Sequence, residues 1–130
     1  MVANAKPTLE NIIAAADEAI ASGRNSATFR FAHDGNIIPL AGLMKLENCY
    51  NEEAAPDKFY QAWCNYKVAP MAGNIQLVFF RKKGSPEDVI VKLLLHEHEV
   101  SIPVKTDMAP FCHGQDRKST RLNSSHQIIS

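Results

Sequence analysis

No stretch of this sequence approaches the run of about 20 apolar residues that a membrane-spanning helix requires. Its first residues, Met-Val-Ala-Asn-Ala-Lys-Pro, lack the apolar core of a secretory leader. An excess of charge is missing too. The 14 basic and 14 acidic side chains cancel, and Lys and Arg are not clustered as a nucleic-acid footprint requires, so no nucleic-acid partner is expected. Cysteine is scarce. Cys49, Cys64 and Cys112 are an odd number with no C-x-x-C spacing, which argues against a disulfide scaffold and against a zinc ribbon. No internal repeat is apparent. What remains is one small domain of 130 residues, 45% of them hydrophobic, enough for a core.

The pattern along the chain predicts an α/β fold: helix, strand, helix, then late strands with a hairpin. Thr8 is a candidate N-cap. Leu9, Ile12, Ile13, Ala16, Ala19 and Ile20 then recur at helical spacing, with Asp17 and Glu18 on the opposite face and Gly23 as the stop. In residues 27–32, Phe29 and Phe31 alternate with Thr28 and Arg30, which predicts a strand. A second helix is expected at about residues 36–46, with Pro39 in its first turn, apolar nearly all round and therefore buried. Residues 47–56 read as a polar loop. Residues 57–66 read as a helical turn or two, with Phe59 and Trp63 paired at i, i+4. Beyond Pro70 the period changes to two, predicting strands at 74–81, 88–95 and 99–104, the last two joined through His96, Glu97 and His98.

His33 and Asp34 stand where the first strand should end and the second helix begin. Ligands of open α/β sheets bind at the carboxyl ends of strands, and a helix N-terminus offers N–H groups and a positive dipole end to an anion. Gly35 lets a ligand approach the backbone closely. An imidazole can hold a phosphate oxygen, and an adjacent carboxylic acid can protonate a leaving alkoxide. The plainer alternative is that Asp34 caps the helix and His33 is a half-buried loop residue. His96-Glu97-His98-Glu99 has the residues of a metal box without its spacing: zincin chemistry places H-E-x-x-H on one helix face, so a solvated turn is expected and no metal is assigned. Trp63, Met71, Phe79 and Phe80 read as core. Arg81, Lys82 and Lys83 read as an exposed strand end.

The segment Phe29-Arg30-Phe31-Ala32-His33-Asp34-Gly35-Asn36, followed by Ile37-Ile38-Pro39-Leu40, resembles the C-terminal catalytic segment of the histidine acid phosphatases, nearest the bacterial relatives of multiple inositol polyphosphate phosphatase. The likeness continues through Pro70-Met71-Ala72-Gly73-Asn74-Ile75-Gln76-Leu77-Val78-Phe79, Val91-Lys92-Leu93-Leu94-Leu95 and Val100-Ser101-Ile102-Pro103-Val104. It covers essentially residues 8–115, and order and spacing carry it more than any single motif. The resemblance implies the C-terminal part of an α/β phosphatase core with an incomplete sheet. It implies phosphomonoester hydrolysis of acid-phosphatase or phytase type through a phosphohistidine, with no cofactor, and a periplasmic or secreted location. By position, His33 contacts phosphate, Asp34 is the proton donor, and Gly35 and Asn36 bind substrate, a small phosphorylated molecule such as an inositol polyphosphate. Members of this group often carry His-Ala-Glu where this chain has His-Asp-Gly, which leaves positional preference on the inositol ring open. The family's nucleophile motif, Arg-His-Gly-x-Arg-x-Pro, does not occur here. The chain thus resembles roughly the last quarter of such an enzyme, and alone it is expected to be inactive.

Residues 116–130 break the pattern: polar, aperiodic and without turn logic. Read back into codons, Asp116 to His126 resembles one frame of a common short-read sequencing adapter. The expected division is therefore 1–115, phosphatase-like, and 116–130, a non-native, disordered tail. The tail carries three basic side chains (Arg117, Lys118, Arg121) against one acidic (Asp116), so residues 1–115 are mildly acidic and any phosphate recognition must be local. Two rivals stand beside the phosphatase. One is a non-catalytic small α/β binding module in which His33 and Asp34 are structural. The other is a metal-dependent hydrolase using His33, Asp34, His96 and His98.

Overall fold

The computed structural model of the protein describes residues 2–53, 55–100 and 119–121. After a 3-10 turn at Val2–Ala5, helix α1 spans Lys6–Ser22, α2 Asp34–Leu43, α3 Phe59–Ala62 and α4 Asn65–Val68. Strands follow at Ile75–Lys82 (β1), Ser85–Leu95 (β2), His98–Glu99 (β3) and Ser119–Arg121 (β4). The result is a mixed α/β fold whose described strands pair antiparallel in the order β1-β2-β3, with β4 also on β2. No helix among the described residues is long and apolar enough to cross a membrane.

α1 follows its apolar stripe: Leu9 and Ile13 are buried, Ile12 packs against the core, and Asp17 and Glu18 are exposed. The chain enters the helix from the 3-10 turn, so Ala5 is the N-cap and Thr8 lies inside the first turn rather than capping it. Gly23 ends the helix with φ 68°, its N–H donating to the Ile20 carbonyl at 3.2 Å. A left-handed residue there costs glycine nothing. The Arg81 guanidinium also donates to the Ile20 carbonyl, at the negative end of the helix dipole. Arg81 is thus not simply a solvated strand end.

α2 begins at Asp34, two residues before the expected start, which moves Pro39 out of the first turn into the helix interior. Pro39 is buried and has no N–H to give the Gly35 carbonyl. The helix stops at Leu43, earlier than the apolar run suggests, through a Schellman arrangement. Leu46 N–H donates to Ala41 O (3.0 Å) and Lys45 N–H to Gly42 O (3.1 Å), with Lys45 at φ 49°. Leu46, just past the reversal, is fully buried. α2 packs on the N-terminal turn, α1 and α4. Leu9, Ile13, Leu40, Met44 and Leu46 thereby meet Leu93 and Leu95 of β2 in one core.

β1 and β2 pair with Ile75 opposite Leu95, Leu77 opposite Leu93 and Phe79 opposite Val91. Ile75 and Leu77 pack on the helical core. Phe80 lies on the alternate face and is 49% exposed, so it is not core; Met71, in the loop before β1, is fully exposed. Trp63 does pack on the core, while Phe59, its i, i+4 neighbour, is exposed. β3 spans His98–Glu99, so it shares only Glu99 with the strand expected at 99–104; residues 101–104 lie outside the described residues.

One further expectation is corrected. Residues 27–32 form no strand: Phe29 is 78% and Phe31 96% exposed, and the segment simply connects α1 to α2. Alternation marks a segment able to pair, but a strand exists only with a neighbour, and here the local tie is side-chain: Arg30 Nη2 donates to Asn11 Oδ1 at 2.7 Å. Beyond these elements, Ser119–Arg121 pairs with Lys92–Ile90 of β2. An open strand edge offers N–H and C=O groups to a segment of any sequence. The rest of 116–130 lies outside the described residues.

Candidate functional site

His33 is the last residue before α2, with extended φ/ψ of −94° and 168°. Its carbonyl opens the helix, accepting from Asn36 N–H at 2.9 Å and Ile37 N–H at 3.3 Å. The N-cap is therefore His33, acting through its backbone alone, and not Asp34. Asp34 occupies the first helical position, where a negative charge suits the dipole, and its Oδ1 accepts from Gly35 N–H at 2.8 Å. His33, Asp34, Gly35 and Asn36 are all exposed. Among the described residues the His33 imidazole makes no hydrogen bond, and the residue is exposed. His33 is thus not the half-buried loop residue of the plainer expectation.

This arrangement puts an imidazole and a carboxylate next to each other at the positive end of a ten-residue helix. The carboxylate already sits where a bound anion would find its first N–H. An incoming phosphate oxygen could take the Gly35 N–H from Asp34, leaving the acid free to turn toward a departing oxygen. Arg30, the nearest preceding cation in sequence, is held on α1 by Asn11.

The histidines of the 96–98 turn have a different role. His96 and Glu97 are the two central residues of a tight hairpin turn, with φ 51° and 69°, joining Leu95 to its partner His98. The His96 ring is half-buried. Asn74 N–H donates to Nδ1 at 3.1 Å, so Nε2 carries the proton and donates to the Val68 carbonyl at 2.9 Å. Its backbone N–H donates to Asn74 O at 2.8 Å. A Cβ on Gly73 would lie 3.0 Å from the ring's Cε1, so only glycine lets the loop approach so closely. His96 is therefore a clip that fastens the 68–74 loop to the hairpin, not part of a solvated turn. Its nitrogens are committed, which removes it from any ligand set. Glu97 and His98 are exposed, and Glu99 pairs with Lys92 across the hairpin. Among the described residues no three His, Cys, Asp or Glu side chains converge as a metal group would.

Sequence inspection picked out the 96–99 run but missed this role. The signal was available: Asn74 precedes β1 and His96 follows β2, so hairpin register alone sets them opposite each other. The chain matches no family model and no curated protein sequence.

Proposed function

We propose that His33 and Asp34 form the second catalytic motif of a histidine-type phosphomonoesterase. Its substrates are small phosphorylated molecules such as inositol polyphosphates, and its nucleophilic histidine comes from sequence outside this chain. The observation that carries the proposal is the exposed imidazole–carboxylate pair at the start of α2. His33 donates to a phosphoryl oxygen. The helix N-terminus, through Gly35 N–H, takes a second one. Asp34 in its acid form gives its proton to the ester oxygen as the P–O bond to the alcohol breaks and the phosphoryl group passes to the nucleophile. Asp34, now ionised, is placed to accept a proton from the water that releases phosphate.

The test is leaving-group dependence in the complete protein. Asp34→Asn should lower kcat by about 10²–10⁴ on an alkyl phosphate, whose leaving oxygen must be protonated. It should cost much less on p-nitrophenyl phosphate, whose leaving group departs as the anion. Equal losses on both substrates would refute the proton-donor role. The 130-residue chain alone is expected to release no phosphate from p-nitrophenyl phosphate above buffer. Sequencing the locus should find Arg-His-Gly-x-Arg-x-Pro in frame upstream; Met1 as the true start, with no such motif before it, would overturn the proposal.

One observation favours a second reading. The Asp34–Gly35 hydrogen bond is also what a purely structural acid at a helix start would make. In a non-catalytic binding module, His33→Ala and Asp34→Ala would leave ligand affinity unchanged.

A further inference from the structure

A cavity of about 460 Å3 opens between the loop at residues 47–51, the α3–α4 turn and the end of β2. None of its lining comes from residues 24–36, so it is separate from His33 and Asp34. Its volume is within the range of sites that enclose a small organic molecule. The lining combines two chemistries. Trp63, Val68 and Leu95 supply aromatic and aliphatic surface, and Trp63 Nε1–H donates to Asn65 Oδ1 at 2.7 Å, which fixes the indole. Asn48, Asn51 and Gln61, also in the lining, carry side-chain amides, of which Gln61 donates from Nε2 to Tyr60 OH at 3.3 Å and keeps its amide oxygen as an acceptor. An amide donates and accepts at once, as a hydroxyl group does. The fixed charges are one lysine, Lys67, and one carboxylate, Glu47. An anion would find a single cation offset by an acid, so a phosphate or carboxylate ligand is poorly served.

A ligand suited to this lining carries a flat apolar face, several hydroxyl groups and no charge. We infer that the cavity binds a neutral pyranose sugar, its ring against Trp63 and its hydroxyls on the amides of Asn48, Asn51 and Gln61. Trp63 is the sole tryptophan of the chain, so its emission reads the site directly. Titration of the 130-residue chain with methyl β-glucoside should give a saturable emission shift, with a dissociation constant on the order of 1 mM. Inorganic phosphate over the same range should give none. The Asn51→Ala, Gln61→Ala double variant should bind about tenfold more weakly with its far-UV spectrum unchanged. Three results would overturn the inference: no saturation with the native chain, equal binding by the folded double variant, or a shift with phosphate as large as with the sugar. Should the double variant not fold, saturation transfer from the Trp63 ring protons to the glucoside ring protons decides on the native chain. Transfer is expected, and its absence overturns the inference.

Discussion

Replacing His96 by alanine should loosen the sheet end measurably, and the structure sets the size of the effect. The substitution deletes two neutral hydrogen bonds, Asn74 N–H to Nδ1 and Nε2–H to the Val68 carbonyl. At about 1 kcal/mol each, the loss is about 2 kcal/mol. Val68 is buried, and a carbonyl left there without its donor pushes the cost toward about 3 kcal/mol. The backbone adds a second handle. His96 holds φ 51°, which strains alanine as much as histidine but not glycine. His96→Gly should therefore lose the same two bonds yet recover about 1 kcal/mol.

The assay is urea unfolding followed by far-UV circular dichroism. With a slope of about 1–3 kcal/mol/M for a small protein, the alanine midpoint should fall by about 1 M or more, glycine by less, and the slope should not change. Hydrogen exchange gives an independent reading, because the Asn74 amide should lose protection in both variants. An alanine midpoint equal to the native one, or an Asn74 amide as protected as before, would refute the clip. A glycine variant weaker than alanine would refute the turn geometry.

Three further outcomes follow from the same contacts. Gly73→Ala puts a Cβ 2.9 Å from Pro70 O and 3.0 Å from the His96 ring, and should destabilise by about 1–3 kcal/mol; combined with His96→Ala the losses should be less than additive, since the ring half of the clash is gone, and strict additivity in a double-mutant cycle would contradict the contact. Gly23→Ala forces a side chain to φ 68° and within 3.3 Å of Arg81 Nη1, and should cost about 1 kcal/mol, seen as a thermal midpoint lowered by about 3–5 °C. Burial pushes the Cys49 thiol above its ordinary 9.0, so above pH 9 the unfolded chain ionises this thiol while the folded chain keeps its proton. The stability linked to Cys49 is complete below pH 9 and falls as pH rises from there toward the higher folded value; unfolding midpoints at pH 7 and pH 10 should converge in Cys49→Ala relative to the native chain, and an unchanged difference would reject the linkage.

Local signals in the sequence carried as far as local causes reach. α1 and its end were legible because an apolar stripe and a glycine in the left-handed position act within one element. The β2–β3 hairpin was legible because period-two runs flank a short polar turn. The end of α2 was not, because the left-handed residue that reverses the chain is Lys45, which carries no turn signal, and the buried Leu46 beyond it extends the apolar run past the true stop. The strand at 27–32 failed for a different reason. Its alternation is real, with Arg30 tied to α1 and Phe29 and Phe31 in solvent, but pairing is supplied by another segment and cannot be read from one.

His33 and His96, both weighed for chemistry from the sequence, separate on one criterion, namely what their ring nitrogens touch. Catalysis by an imidazole needs a ring nitrogen open to substrate. Structural service needs the opposite, both nitrogens committed to fixed partners. His96 meets the second condition: half-buried, with Nδ1 accepting from Asn74 and Nε2 donating to Val68. His33 meets the first: exposed, free of hydrogen bonds among the described residues, and set beside Asp34 at the positive end of α2. Substitution at His96 should therefore register in unfolding curves. Substitution at His33 should leave those curves within about 0.5 kcal/mol of native, as for an exposed side chain that makes no contact, and should register only in an assay of function. A His33→Ala chain that unfolds as readily as His96→Ala would break this division and return His33 to the scaffold.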